Sequence, residues 1–151
     1  MIRDAIKQAL VDAMKAKDEK TVSTLRMAQA AIKNRDIELR TATAPVDDDQ
    51  MVIEVLTKMV KQRRESVEMY EKGGRQELAD GEKAEIAIIE RFLPAMMSED
   101  EAKAAIAGLV AELGATSAKD MGRVMGALKT RFAGQIDMGR AGALVKAALG
   151  A

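Results

Sequence analysis

The chain has neither cysteine nor histidine among its 151 residues. Without cysteine there are no disulfides and no thiol nucleophiles, and without either residue there are no Cys/His zinc sites. Without histidine a Ser-His-Asp triad has no base. There is no tryptophan, and the aromatic side chains are only Tyr70, Phe92 and Phe132. Stacking of RNA bases on aromatic rings therefore has almost no material here. No stretch approaches the roughly 18 consecutive apolar residues of a membrane span. The opening "MIRDAIKQAL" carries no apolar run of signal-peptide length. These absences lead to the expectation of a soluble, cytoplasmic protein with no membrane contact. They leave no catalytic residue, metal site or cofactor site legible.

What is present is helix-forming material. Leu, Ile, Val, Met and Ala supply nearly all of the apolar content, with few β-branched runs and abundant Glu and Lys, so the expected fold class is all-α. The eleven methionines read as adaptable core filler. Apolar periodicity predicts seven helices. The first, over about 2–17, is marked by Ile2, Ile6, Leu10 and Met14, and the second covers about 19–40. "TATAPVDDD" is a loop in which one of Asp47, Asp48 and Asp49 caps the third helix, about 49–72, rather than holding a cation. Gly73-Gly74 ends that helix, and the fourth covers about 75–93, with Gly81 as a point of kinking or breakage.

Pro94 marks a boundary. Ser98 with Glu101, and Ser117 with Asp120, are capping-box pairs that start the fifth and sixth helices, and Asp137 caps the seventh. Short connections favour antiparallel neighbours. The expectation is a four-helix bundle over 1–94 followed by a smaller three-helix bundle over 95–151.

Net charge is zero but unevenly spread: residues 1–40 carry +3, 41–97 carry −4, 98–118 carry −3 and 119–151 carry +4. The basic end is also glycine-rich, with six of eleven glycines between Met121 and Gly150. On a wheel of about 100° per residue, Met121, Val124, Met125, Leu128 and Phe132 form the core face of the sixth helix. Gly122, Gly126 and Lys129 share one flank, a smooth surface that another backbone can approach closely. That backbone is either a neighbouring helix or a phosphate chain. Arg123, Arg131, Arg140 and Lys146 nearby favour the phosphate reading. The exposed start of the seventh helix offers free N–H groups to an anion, although Asp137 competes for them. Two weaker basic stretches, "RMAQAAIKNRD" (26–36) and "KQRRESVEMYEKGGRQ" (61–76), read as ordinary ion-paired helix surface, for example through Glu68–Lys72 at i, i+4.

Four stretches, "LRMAQAAIKNRDIE", "KQRRESVEMYEKGGRQELAD", "IIERFLPAMMSEDE" and "KDMGRVMGALKTRFAGQID", resemble the YqeY-like proteins. That family shares a domain with the tail of the B subunit of tRNA-dependent amidotransferase. The resemblance runs over essentially the whole chain and is most specific around Gly122, Val124, Met125, Gly126, Lys129, Gly134 and Asp137. It implies an all-α protein of a four-helix and a three-helix bundle, and a C-terminal module that contacts tRNA. Gly81 and the "DMGRAG" start of the last helix depart from the family's usual residues.

The leading functional expectation is a non-catalytic RNA-binding helper, for tRNA, acting through Gly122, Arg123, Gly126, Lys129, Arg131, Arg140 and Lys146. Two alternatives stand beside it. One is a protein adaptor that docks on an aminoacyl-tRNA synthetase or an amidotransferase through Met-rich faces. The other, by family association, is a carbon–nitrogen ligase using glutamine as amido donor.

Overall fold

A computed structural model of the chain describes residues 1–132 and 134–150. Among them are seven α-helices and no strand, so the fold is all-α: α1 (Ile2–Lys15), α2 (Glu19–Glu38), α3 (Asp48–Lys72), α4 (Gln76–Glu90), α5 (Glu99–Leu113), α6 (Met121–Arg131) and α7 (Met138–Ala148). Single 3-10 turns follow α2 (Leu39–Thr41) and precede α6 (Ala118–Asp120). The chain divides into two compact units, Met1–Leu93 and Pro94–Ala151.

Local chemistry places the helix ends. Asp18, Asp47, Ser98 and Asp137 each accept a backbone N–H of the helix that follows, from Thr21, Gln50, Glu101 and Gly139, which satisfies a donor the helix leaves orphaned. Ser117 and Asp120 form a reciprocal capping box. Three helices end in the same double hydrogen bond with a left-handed residue. Gly74 (φ 71°) closes α3 and Gly114 (φ 62°) closes α5. At the end of α1 that position is Lys17 (φ 57°), with Asp18 N–H bonding Ala13 O at 2.9 Å and Lys17 N–H bonding Met14 O at 3.2 Å. α1 therefore stops two residues before the expected 17. α4 runs unbroken through Gly81, so the helix does not break there; a methyl group at that position would meet Lys20 Nζ at an ordinary 3.8 Å.

The first unit buries Ile6, Leu25, Ile32, Val52, Leu56 and Ile89 in one core. Two expected core positions face solvent instead: Met14 is 51% and Leu78 is 38% exposed. Cations fasten the helices of this unit from outside. The Arg3 guanidinium on α1 grips Asp36 of α2 at 2.8 and 2.9 Å and Asp48 of α3 at 2.7 and 3.2 Å. This holds the Asp36 carboxyl below the usual carboxylate range and raises the Arg3 pKa. Arg63 of α3 bonds Glu85 of α4 at 3.0 Å, Lys20 of α2 approaches the other Glu85 oxygen at 3.5 Å, and Arg63 also donates to the Met59 carbonyl.

The second unit is a three-helix arrangement in which each of α5, α6 and α7 packs on the other two. Its core is Ala102, Ile106, Leu109, Ala115, Val124, Leu128, Ile136, Ala141 and Val145. Beyond Pro94, Met97 N–H bonds Gln135 O at 2.7 Å, tying the entry of the unit to the α6–α7 connection.

Candidate nucleic-acid interface

α6 buries Val124 and Leu128 completely, with Met121, Met125 and Phe132 packed partly against the same core. That fixes the helix's rotation and turns Gly122, Gly126 and Lys129 outward together, all three exposed. A methyl group added at Gly122 or Gly126 would meet no atom within 4 Å. Neighbouring helices do not use the space over these glycines. Each glycine nevertheless costs its helix about 1 kcal/mol relative to alanine. Thr130 continues this side of the helix and donates its hydroxyl to Gly126 O at 3.0 Å.

The other basic residues divide. Arg123 is exposed and lies 3.1 Å from Asp120, one turn back. Asp120 is itself held below the usual carboxylate range, first by the N–H groups of Thr116 and Ser117 and further by Arg123. Arg131 points to the opposite flank of α6 and makes a two-pronged contact with Glu112 of α5, the Nη2–Oε1 bond being 2.7 Å. That contact lowers the Glu112 pKa and raises that of Arg131. Arg131 is thus not brought to the glycine flank. Arg140 and Lys146 are exposed on α7. Among the described residues, no carboxylate lies within ion-pair distance of Lys129, Arg140 or Lys146. The N-terminus of α7 is occupied by its own cap: Asp137 Oδ1 accepts from Gly139 N at 2.9 Å, so an arriving anion would meet a carboxylate there.

In the first unit, Arg63, Arg64, Lys72 and Arg75 of the basic stretch 61–76 sit on carboxylates, Glu85, Glu90, Glu68 and Glu77. Sequence reasoning missed the Arg63–Glu85 contact, because its partners are 22 positions apart on different helices. It also missed an open groove of about 470 Å³ between α2 and α3, edged by Asn34, Arg35, Glu54, Lys58 and Gln62. The side-chain hydroxyls that bond carboxylates, Thr21 on Asp18 and Ser98 on Glu101, do so at helix starts. Among the described residues, no three Asp or Glu side chains gather as a metal site, and no helix is long and apolar enough to cross a membrane.

A wholly helical chain of two units, the second carrying an open, basic glycine flank, defines a class of small helical module. The family model of Yqey-like proteins matches residues 3–149, and the chain belongs to that family. Among curated proteins it is 36% identical over 91 residues to "Altered inheritance of mitochondria protein 41, mitochondrial" of Eremothecium gossypii, covering 60% of this chain and 48% of that protein. It is 33% identical over 110 residues to the protein of the same name in Lachancea thermotolerans, covering 72% and 57%. An uncharacterised protein of Schizosaccharomyces pombe is 30% identical over 93 residues, covering 62% and 72%. The chain spans about half the length of the mitochondrial relatives it matches.

These names overturn the cytoplasmic expectation, since the relatives are mitochondrial proteins. The missing apolar run that motivated it bears only on a secretory leader. Mitochondrial targeting segments are amphipathic and Arg-rich rather than apolar, so that test does not separate the two compartments.

Proposed function

We propose that the chain is a non-catalytic helical module that contacts RNA, tRNA in particular, along the Gly122–Gly126–Lys129 flank of α6. One observation carries the reading: two glycines that weaken an exposed helix stand over empty space, beside a lysine with no carboxylate partner among the described residues. A sugar–phosphate backbone fits such a surface. It needs close approach and positive charge, and it does not need aromatic rings when shape and phosphate are what is recognised. Arg123, next to Gly122 on the same helix, adds positive charge beside the flank, and Arg140 and Lys146 are exposed on α7 of the same unit. Arg131 is committed to Glu112 and is a weaker contributor.

The test is a fluorescence-anisotropy titration of the full chain with bulk tRNA at several salt concentrations, beside a thermal melt of each variant. Lys129→Glu should weaken binding and lower the salt slope by about one released counterion. Gly126→Leu should weaken binding with little change in slope. It should leave the melt at or above that of the parent protein, because the Cβ it adds meets no neighbour and leucine favours the helix more than glycine does. Unchanged tRNA affinity in both variants would defeat the reading. Apolar docking through exposed methionines such as Met69, 73% exposed, would then lead, with weak salt dependence as its mark.

A further inference from the structure

α6 and α7 are two versions of one helix. Asp120-Met121-Gly122-Arg123 recurs as Asp137-Met138-Gly139-Arg140, and Lys129 recurs as Lys146 in the same register. Both helices are 11 residues long and begin directly after the repeated Asp. Burial follows the same register. Val124 and Leu128 correspond to Ala141 and Val145, all completely buried. Gly122, Arg123, Gly126 and Lys129 correspond to Gly139, Arg140, Ala143 and Lys146, all exposed.

Identity between the two helices is not confined to positions that packing fixes: besides the starting Asp and Met121, which lies partly against the core and recurs as Met138, it falls on exposed residues. Core positions set fold and stability and tolerate little change, yet here the buried pairs differ, Val against Ala and Leu against Val. Among the solvent-facing pairs, Gly122/Gly139, Arg123/Arg140 and Lys129/Lys146 are the same, while Gly126/Ala143, Thr130/Ala147 and Arg131/Ala148 differ. The repeated Asp is accounted for by helix starting, since Asp137 caps α7 and Asp120 closes the capping box before α6. Helix starting does not account for an exposed Arg and an exposed Lys six residues apart. In each helix they stand roughly 9 Å apart along the axis and about 120° around it, so they bracket a small-residue face from both sides. On α6 that face is Gly122, Gly126 and Thr130, and on α7 it is Gly139, Ala143 and Ala147.

We infer that α7 is a second phosphate-contacting helix equivalent to α6, so that the C-terminal unit holds an RNA backbone at two separate positions through Arg123–Lys129 and Arg140–Lys146. The inference rests on the RNA reading above and adds to it a valency of two. Two sets on one folded unit raise the strength of attachment by turning the second contact into an intramolecular one. The sets are not identical in readiness: Arg123 is drawn toward Asp120, whereas Arg140 has no carboxylate partner among the described residues. On α7 the arginine is the freer, but the glycine is not: Asp137 Oδ1 lies 3.2 Å from where a methyl group on Gly139 would stand, whereas the space over Gly122 and Gly126 is open.

The experiment compares the full chain with Lys129→Ala, Lys146→Ala, the double variant and Lys103→Ala, each titrated with bulk tRNA across a salt series and each checked by thermal melt. Lys103 is an exposed lysine of the same unit that already faces Glu99. The expected result is a several-fold loss of affinity for each single variant and a multiplicative loss for the double. The salt slope should fall by about one for each single variant and by about two for the double, with Lys103→Ala unchanged. Silence of Lys146→Ala while Lys129→Ala weakens binding would overturn the second site and leave the α6 reading standing. A double variant no weaker than either single one would mean that both lysines serve one phosphate, which also overturns it. Failure of the parent protein to bind tRNA at any salt would remove the RNA reading itself, and this inference with it.

Discussion

The N-terminal unit turns its best-placed cations onto carboxylates of other helices, and the C-terminal unit leaves several of its cations facing solvent. Arg3 joins α1 to α2 and α3, and Arg63 joins α3 to α4 with Lys20 of α2 alongside. Among the described residues of the C-terminal unit, only Arg131 bridges helices, to Glu112 of α5. Lys129, Arg140 and Lys146 project outward over small residues. The difference lies in which cations bridge helices and not in how many are paired: the first unit also leaves cations such as Lys7, Arg26 and Lys33 without a carboxylate partner among the described residues, and the first 40 residues and the last 33 have similar net charge. A charge profile along the chain cannot make that distinction, because it depends on which carboxylates the fold brings near.

The largest expected effect probes whether the two units are thermodynamically separate. Leu128→Ala removes a fully buried side chain from the C-terminal core and should cost about 2–5 kcal/mol, enough to unfold a unit of this size. A thermal melt read by circular dichroism, with amide exchange read per unit, should show loss of protection confined to residues beyond Pro94. A single transition displaced as a whole, with protection lost throughout α1–α4, would mean that the units share one cooperative fold.

A smaller effect tests the structural use of cations in the N-terminal unit. The Arg63 and Glu85 side chains are only 13% and 15% exposed. Arg63→Ala should leave Glu85 poorly compensated and cost about 1–3 kcal/mol. Arg64→Ala, one residue along on an exposed pair with Glu90, should cost no more than about 1 kcal/mol. Urea midpoints of the two variants measure the difference. Equal midpoints would show that the Arg63 contact is no stronger than an ordinary surface pair.

The smallest effect concerns backbone conformation and runs in the stabilising direction. Lys17 holds the left-handed position that glycine holds at the ends of α3 and α5. Lys17→Gly should therefore stabilise the N-terminal unit by about 1 kcal/mol, visible as a raised melting temperature. An unchanged or lowered melting temperature would mean that the greater freedom of glycine in the unfolded chain offsets the relieved strain.

Much of the fold was legible because its signals are local. Caps at Asp47, Ser98, Ser117 and Asp137 and stops at Gly74 and Gly114 depend on residues within one turn of each other, and the 3.6-residue period of α6 placed Val124 and Leu128 inside. Legibility failed where a local rule had an exception. α1 stops at a lysine rather than a glycine, and Gly81 lies within a continuous helix rather than at a break. The glycine flank could be drawn from a helical wheel. A wheel shows which residues share a side but not what stands opposite them.

The sequence by itself determined the all-α class, the seven helices and their caps, the basic end of the chain and the shared flank of Gly122, Gly126 and Lys129. All of these follow from backbone propensity, periodicity and hydrogen bonds between residues close in the chain. Only the tertiary structure decided that the space above Gly122 and Gly126 is open, that Arg131 is held by Glu112 and that Arg63 is held by Glu85. It also decided that Met14 and Leu78 are partly exposed rather than buried in the core. Each of these depends on the distance between residues far apart in sequence, which is set by how the helices pack.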